Sequence, residues 1–412
     1  MEILVASTCS RLRAGAWHAT MPLRMYFLDS RFLAFVPLLC AVYWLVGLGR
    51  RGGSELTAWS PQNLVLLAGN IAWLCVFSPQ TLVALTALTI VVVYPVARLA
   101  GALHGRGEAR RAARVAWLGI AVVIAVATVL RLPSVFLRGL ALSSSPMASE
   151  LLRWIGFSYF LLKAIHVMLG TARGIFAAPT LVGLVQYALF LPTLSSGPIY
   201  RLDVFSQQLA APKRLGWADV HDGGLRILVG LAKKVVAVPL FSSLSVSLHA
   251  RGLAMQPAAY VATYAMLFLD FSGYSDIAIG LGRLFGFAVP ENFKHVFTST
   301  TLTQFWRNWH ATLGDWLRET VFIPLGGMRA RGWQLSAIVV GSMLVVGVWH
   351  GYRWIFLGWG LFHGVMLLVE NRLGVKPLRA HRTPWWRLGL RYALVQAVVI
   401  AGMFAFIGGL SP

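Results

Sequence analysis

Apolar stretches long enough to cross a lipid bilayer recur along almost the whole of this chain. They centre on Phe32–Gly49, Asn63–Phe77, Thr81–Ala100, Val115–Leu130, Leu151–Leu169, Leu181–Leu194, Leu225–Leu244, Ala258–Ile279, Ala337–Trp349, Trp354–Glu370 and Leu388–Phe406. Lipid offers no hydrogen bonds to an open backbone, so a spanning segment closes its bonds within itself as a helix of about 20 residues. About ten or eleven such runs predict an all-α polytopic membrane protein. Composition agrees, because 58% of the 412 residues are apolar and 12% are charged. Some runs are short for a span, and the last two before the C-terminal one are divided only by HGYR. Re-entrant or broken helices, with their irregular backbone buried in protein, are therefore expected.

The chain shows no internal repeat, no low-complexity tract and no soluble domain. Residues 1–25 read as a leader or a misplaced start, with Met21 or Met25 as the alternative first residue. MEILVASTCSRLRAGAWHAT has too short an apolar stretch for a secretory signal, and its bases follow that stretch rather than precede it. Residues 26–412 are expected to form a single membrane domain.

Thirty-six Lys and Arg against 14 acidic residues give a net charge of +22. The bases lie between the spans, which points to anionic lipid head groups as the partner and not to nucleic acid. Arg50, Arg51, Arg106, Arg110, Arg111 and Arg114 mark cytoplasmic loops and put the start of the first span outside. After Ser195 bases occur on both sides of the spans, a further hint of re-entrant segments. Cys9, Cys40 and Cys75 lack any paired spacing and read as ordinary buried residues, with no disulfide and no metal site.

Four polar clusters interrupt the apolar pattern. In FWRNWHATLGDWLRETVFIPLGG, Phe305, Trp306, Trp309, Leu313, Trp316 and Leu317 recur at helical spacing, while Arg307, Asn308, Asp315, Arg318 and Glu319 take most other positions. This predicts one amphipathic helix at the membrane boundary or capping the interior there, started by the threonines before it and ended by Pro324 and its glycines. His310 lies beside the apolar stripe and is either a hydrogen-bonded interfacial histidine or a working group. His350, flanked by Trp349 and Gly351, follows a span, where a titratable residue faces a cavity or a partner. His363 reads as structural.

In LFLDFSGYSDIAIGLG, Asp270 and Asp276 are six residues apart, so they do not share one helix face. They are expected to hydrogen-bond helix ends or pair with bases such as Arg283, Arg307 or Arg318. Lys233 and Lys234 read as snorkelling anchors rather than donor-binding groups.

Taken together, these residues resemble the membrane-bound O-acyltransferase family, in its bacterial polymer-modifying branch. The resemblance rests on LPTLSSGPIYR at 191–201, FLDFSGYSDIAIGLGRLFGFAVPENF at 268–293, FWRNWHATLGDWLRETVFIPLGG, and VWHG at 348–351. The weaker IGFSYFLLKAIH at 155–166 extends it, and it runs from about Tyr26 to the end. It implies a helical fold around a central funnel in which a thioester donor meets a hydroxyl acceptor. His350 would be the catalytic histidine and His310 the second key residue, lining the reaction path. Trp306, Arg307, Trp309, Trp349, Asp276 and Ser272 would line the substrate path or bind the donor. A neutral imidazole suits the task, since it can take the proton of an attacking alcohol.

The resemblance further implies no bound cofactor. The donor is expected to be an acyl thioester on the phosphopantetheine of an acyl carrier protein, or acetyl-CoA. The acceptor is an envelope polymer or an extracytoplasmic acyl acceptor protein, at the bacterial cytoplasmic membrane. TLSSGPI before an arginine, the compact length and the C-terminal MFAFIGGL favour the D-alanyl transferases of teichoic acid. O-acetyltransferases of alginate or peptidoglycan are the alternative. Tyr200, where that type has an acidic residue, and Asn308, where it has a second base, depart from the D-alanyl pattern. An ion-coupled transporter would use the aspartates and histidines as a relay, but it calls for inverted repeats that the sequence lacks. A catalytically dead scaffold would lack the histidines.

Overall fold

The computed structural model describes residues 29–48, 57–139, 156–211, 216–351 and 354–408. The expected leader, Cys9, Arg50, Arg51 and residues 352–353 of HGYR lie outside these. The described chain is helical, with one isolated β-bridge between Phe293 and Trp309. Among the described residues, seven helices are long and apolar enough to span a membrane. This is fewer than the ten or eleven expected, for three reasons. Pro61–Phe77 and Phe157–Ala172 are apolar but shorter. Gln256–Leu284 has 29 residues but carries both aspartates. The expected span Leu181–Leu194 is a helix only over Leu181–Leu189, because Pro192 and the SSGP run turn the chain away.

The fold divides into two compact units, Tyr26–Ile227 with Ala278–Pro290, and Leu228–Ile277 with Glu291 onward. The first contains α1 (Ser30–Leu48), α2 (Pro61–Phe77), α3 (Pro79–Gly105), α4 (Ala109–Gly139), α5 (Phe157–Ala172), α6 (Leu181–Leu189) and α7 (Leu202–Ala210). α5 is buried almost all round, and its Lys163 works at the end of α6. There Lys163 Nζ donates to Tyr187 O at 3.3 Å and Thr193 Oγ1 at 3.1 Å. A donor at a helix C-terminus meets carbonyls that have no partner within the helix. The irregular LPTLSSGPIYR segment that follows is packed inside protein. The Tyr187 hydroxyl donates to Tyr200 O and the Tyr200 hydroxyl to Gln208 Oε1, each at 2.7 Å, beside the rings of Phe190, Phe205 and Phe287.

The second unit holds the end of α8 (Trp217–Ala250), most of α9 (Gln256–Leu284), two short helices α10 (Leu302–Asn308) and α11 (Ala311–Leu317), then α12 (Trp333–His350), α13 (Trp354–Arg372) and α14 (Trp385–Gly408). Its core joins Tyr264, Val296, Leu302, Phe305, Val395 and Val399. α12 and α13 pack backbone to backbone through small residues, as helices do in lipid. A Cβ on Gly347 would stand 2.3 Å from Phe356 O, and one on Gly360 would stand 2.6 Å from Met343 O.

The aspartates of α9 pair with the lysines of α8. Lys233 Nζ reaches Asp276 Oδ2, and Lys234 Nζ reaches Asp270 Oδ1, each at 2.6 Å. Lys233 also donates to Ser272 Oγ at 3.2 Å. The expected pairing with bases is thus met, by lysines rather than by the arginines singled out, and both lysines are ion-paired between helices instead of snorkelling to a surface. Two local features bring them together. The helix widens to a π-helical turn over Lys233–Ala237. The facing backbones come close at Gly230 and Gly273, where a Cβ on Gly230 would stand 2.6 Å from Gly273 O.

Two predictions follow from this packing. The Lys234–Asp270 side chains are 7% and 8% exposed, and removing one partner of a buried pair costs about 3–5 kcal/mol. Asp270→Asn should therefore cut the yield of folded protein and lower its melting temperature in detergent. Asp270→Leu with Lys234→Met should recover most of both. Gly347→Val should destabilise in the same assay, whereas Gly341→Ala on the same helix, with open space around it, should be neutral or slightly stabilising.

Candidate active site

The expected amphipathic helix is broken in the middle. α10 ends at Asn308 and α11 begins at Ala311, so Trp309 and His310 form a hinge between two short helices. The break is held by the loop that follows α9. Lys294 N donates to Asn308 O at 3.1 Å and Ala311 N donates to Asn292 O at 2.9 Å. Thr312 Oγ1 donates to Asn292 Oδ1 at 2.9 Å, and Asn292 Nδ2 donates to Ser275 Oγ at 3.3 Å. Asn308 Nδ2 is spent on the same loop, at His295 O and Ser299 Oγ. His310 takes φ 47°, and among the described residues no other non-glycine has positive φ. Such left-handed strain in a bulky residue collects at functional sites.

This break turns His310 inward. It is 4% exposed, not interfacial, and its ring stands edge-on to Phe271 at 4.7 Å. Burial pushes its pKa down to about 3, so the imidazole is neutral at ordinary pH. The start of α10 is fixed as the threonines predicted, since Gln304 N donates to Thr301 Oγ1 at 3.0 Å. Glu370 of α13 adds a second cap that sequence reasoning missed. Its carboxylate accepts from the amides of Leu302 and Thr303 and from Thr303 Oγ1. A carboxylate at a helix N-terminus is favourable for both its hydrogen bonds and its charge.

An unbroken series of rings links the histidines. His310 lies 6.2 Å from Trp349, Trp349 lies 4.9 Å from His350, and His350 lies 5.4 Å from Trp359. Trp359 in turn meets His363 at 4.9 Å and Trp306 at 5.5 Å, and Trp306 meets His363 at 4.8 Å. Three imidazoles distant in sequence thus share one aromatic enclosure. His363 is fully buried. Neither of its ring nitrogens has a hydrogen-bond partner among the described residues, and nor does Trp306 Nε1. Each such buried group costs about 1–3 kcal/mol if nothing meets it.

The structure gathers His310, His350, Trp306 and Trp349 of the residues singled out in the sequence. Trp309 packs beside them, stacked on Tyr264 and Phe305. Arg307 is on the exposed side of α10. Ser272 and Asp276 meet Lys233, on the same helix as Phe271, which touches His310. Sequence reasoning missed Trp359, Phe271 and Asn292. PENF lay within the matching stretch but offered no catalytic residue type, and Trp359 is one of sixteen tryptophans. Tyr200 is a core residue of the first unit. Among the described residues no three His, Cys, Asp or Glu come together as a metal site.

The chain is 32% identical to the probable alginate O-acetylase of Azotobacter vinelandii over 270 residues, 63% of this chain and 52% of that protein. It is 28% identical to the probable alginate O-acetylase of Pseudomonas fluorescens over 390 residues, 93% of this chain and 72% of that protein. It is 27% identical to the teichoic acid D-alanyltransferase of Streptococcus thermophilus over 293 residues, 64% of this chain and 70% of that protein. Against four of the alginate O-acetylases it matches, the chain spans about half their length. The model of the membrane-bound O-acyltransferase family matches residues 115–405. That match takes in both histidine stretches and most of the chain, so this multi-pass membrane protein belongs to the membrane-bound O-acyltransferase family.

Proposed function

We propose that the protein transfers a short acyl group from a thioester to a hydroxyl of a cell-envelope polymer, at the cytoplasmic membrane of a bacterium. The observation that carries this reading is the meeting of His310 and His350 about one indole, Trp349. His350 accepts the proton of the acceptor hydroxyl as its oxygen attacks the thioester carbonyl carbon. The new C–O bond forms, the C–S bond breaks, and the proton passes from His350 to the leaving thiolate. His310, neutral and buried, lines the path and holds the reacting group, and Trp306 and Trp349 form its walls. Water kept from such an enclosure strengthens each polar contact inside it.

Two acyl groups fit the family. TLSSGPI favours D-alanyl, which two of the relatives are named for. Alignment with the alginate O-acetylase of Pseudomonas fluorescens over 93% of this chain favours acetyl. We take acetyl as the first reading, because that alignment covers more of the chain than the D-alanyl matches do. The donor is then acetyl-CoA or an acetylated carrier protein; in the D-alanyl reading it is a D-alanyl carrier protein.

His350→Ala should lower transfer by about 10²- to 10⁴-fold, the usual worth of a general base, with normal insertion and expression. Full activity at equal expression would remove His350 from the mechanism. The donor separates the two acyl readings. Exposed Met328 and Trp333 beside Arg329 and Arg331 would suit an acidic carrier protein, whose attraction is screened within about 8 Å at physiological salt. Arg329→Glu with Arg331→Glu should abolish low-salt co-purification with an acylated carrier if a carrier is the donor. Transfer from acetyl-CoA that is indifferent to these reversals would discard the D-alanyl reading.

A further inference from the structure

Histidine 363 reads from sequence as a structural residue, and its surroundings argue otherwise. It sits on α13 one turn beyond Trp359, whose indole also packs against His350. Its ring is fully buried, yet neither nitrogen is hydrogen-bonded to a described residue. A neutral imidazole always carries one N–H and one lone pair, so both are unmet here. Trp306 Nε1, another unmet N–H, belongs to the ring that stands edge-on to His363 at 4.8 Å. Packing alone is better served by phenylalanine or leucine at such a place, because these bury no polar atom.

Position decides which nitrogen is left for a guest. A Cβ on Gly402 would stand 2.3 Å from His363 Nε2, so that nitrogen lies against the backbone of α14. Nδ1 remains, together with the Trp306 N–H. The indole N–H only donates, so the guest must bring an acceptor oxygen. The imidazole Nδ1 donates or accepts according to its tautomer. A hydroxyl satisfies both groups at once, whereas an ammonium, which only donates, fails at Trp306.

We propose that His363 and Trp306 bind a second hydroxyl of the acceptor and so select which hydroxyl faces His350. This rests on the acyltransfer reading and adds a specificity-determining residue to it. A polysaccharide or polyol carries another oxygen one or two carbons from the attacked one. Holding that neighbour, one ring away from His350, fixes the register of the chain. His363 is then a positioning residue: it touches the acceptor but takes no part in breaking or making the ester bond.

The test uses the full-length protein in detergent, an acetyl thioester as donor, and an oligomer of mannuronic acid, whose residues carry neighbouring hydroxyls, as acceptor. His363→Phe should raise the acceptor KM by about three- to ten-fold, the worth of one or two neutral hydrogen bonds. The donor KM should move less, and the ester should spread over both hydroxyls, as read by NMR of the product. His363→Gln, which keeps a donor and an acceptor, should restore a single position. Independently of turnover, the oligomer alone should shift the ring ¹⁵N resonance that is missing from His363→Phe.

If His363→Phe is folded, equally or more stable, unchanged in acceptor KM and in ester position, and the resonance does not move, the proposal is overturned and His363 is packing. A rise in donor KM instead of acceptor KM also overturns it, since the pair would then hold the donor. If the wild type transfers nothing from the acetyl thioester but the oligomer shifts the His363 resonance, the binding site stands and the acetyl reading falls. If His363→Phe does not fold, the position of the ester made by His363→Gln and the ¹⁵N shift decide.

Discussion

Inside a membrane protein a chain may leave the helix only where something else answers its freed amides and carbonyls. The second unit meets this condition at Trp309 and His310, where the loop Asn292–Lys294 supplies the bonds that the broken helix lacks. Without that loop the FWRNWH segment would run on as one amphipathic helix, with His310 held beside its apolar stripe. With it, the chain reverses its twist at His310, and the imidazole is delivered into the aromatic enclosure. The buried amide of Asn292 is the centre of the device. It accepts from Thr312 and donates to Ser275, so one side chain ties the break to α9.

Much of this was legible from the residues, and the failures have a common cause. The weight placed on His310 and His350 comes from the resemblance of FWRNWH and VWHG to a family's motifs. The helical class, the membrane and the threonine start of α10 rest on local pattern, which a sequence displays directly. The break after Asn308 does not. Periodicity across Phe305–Leu317 is intact, and nothing near it is a proline or a glycine pair, so the partner loop that overrides the pattern lies outside any window. Which bases pair with Asp270 and Asp276 was hidden for the same reason. Lys233 and Lys234 lie some forty residues away, and adjacent lysines in an apolar run look like anchors until a π-helical turn and two glycines bring the helices together. Trp359 illustrates a third kind of blindness, in which the residue type is ordinary and only its neighbours are not.

The two ion pairs and the glycine contacts do complementary work in the second unit. Glycines let α12 and α13 touch at the backbone, where dispersion contacts are many but carry no register information. Charged pairs add little net stability once desolvation is counted, but a mismatched pairing leaves a charge buried and is heavily penalised. α8 and α9 use both devices within a few residues, Gly230 against Gly273 beside Lys233 and Ser272. One contact sets the distance between the helices and the other sets their sliding position. FSGYSD therefore reads as a gauge for where Phe271, and with it His310, must stand.

Glu370 couples two parts of the enclosure that could otherwise drift. Its carboxylate grips the first amides of α10, while Trp359 and His363 stand further up the same helix α13. α10 carries Trp306 and leads into His310. Any shift of α13 is thus passed to α10 as well, so that Trp306 and the His310 break move with Trp359 and His363.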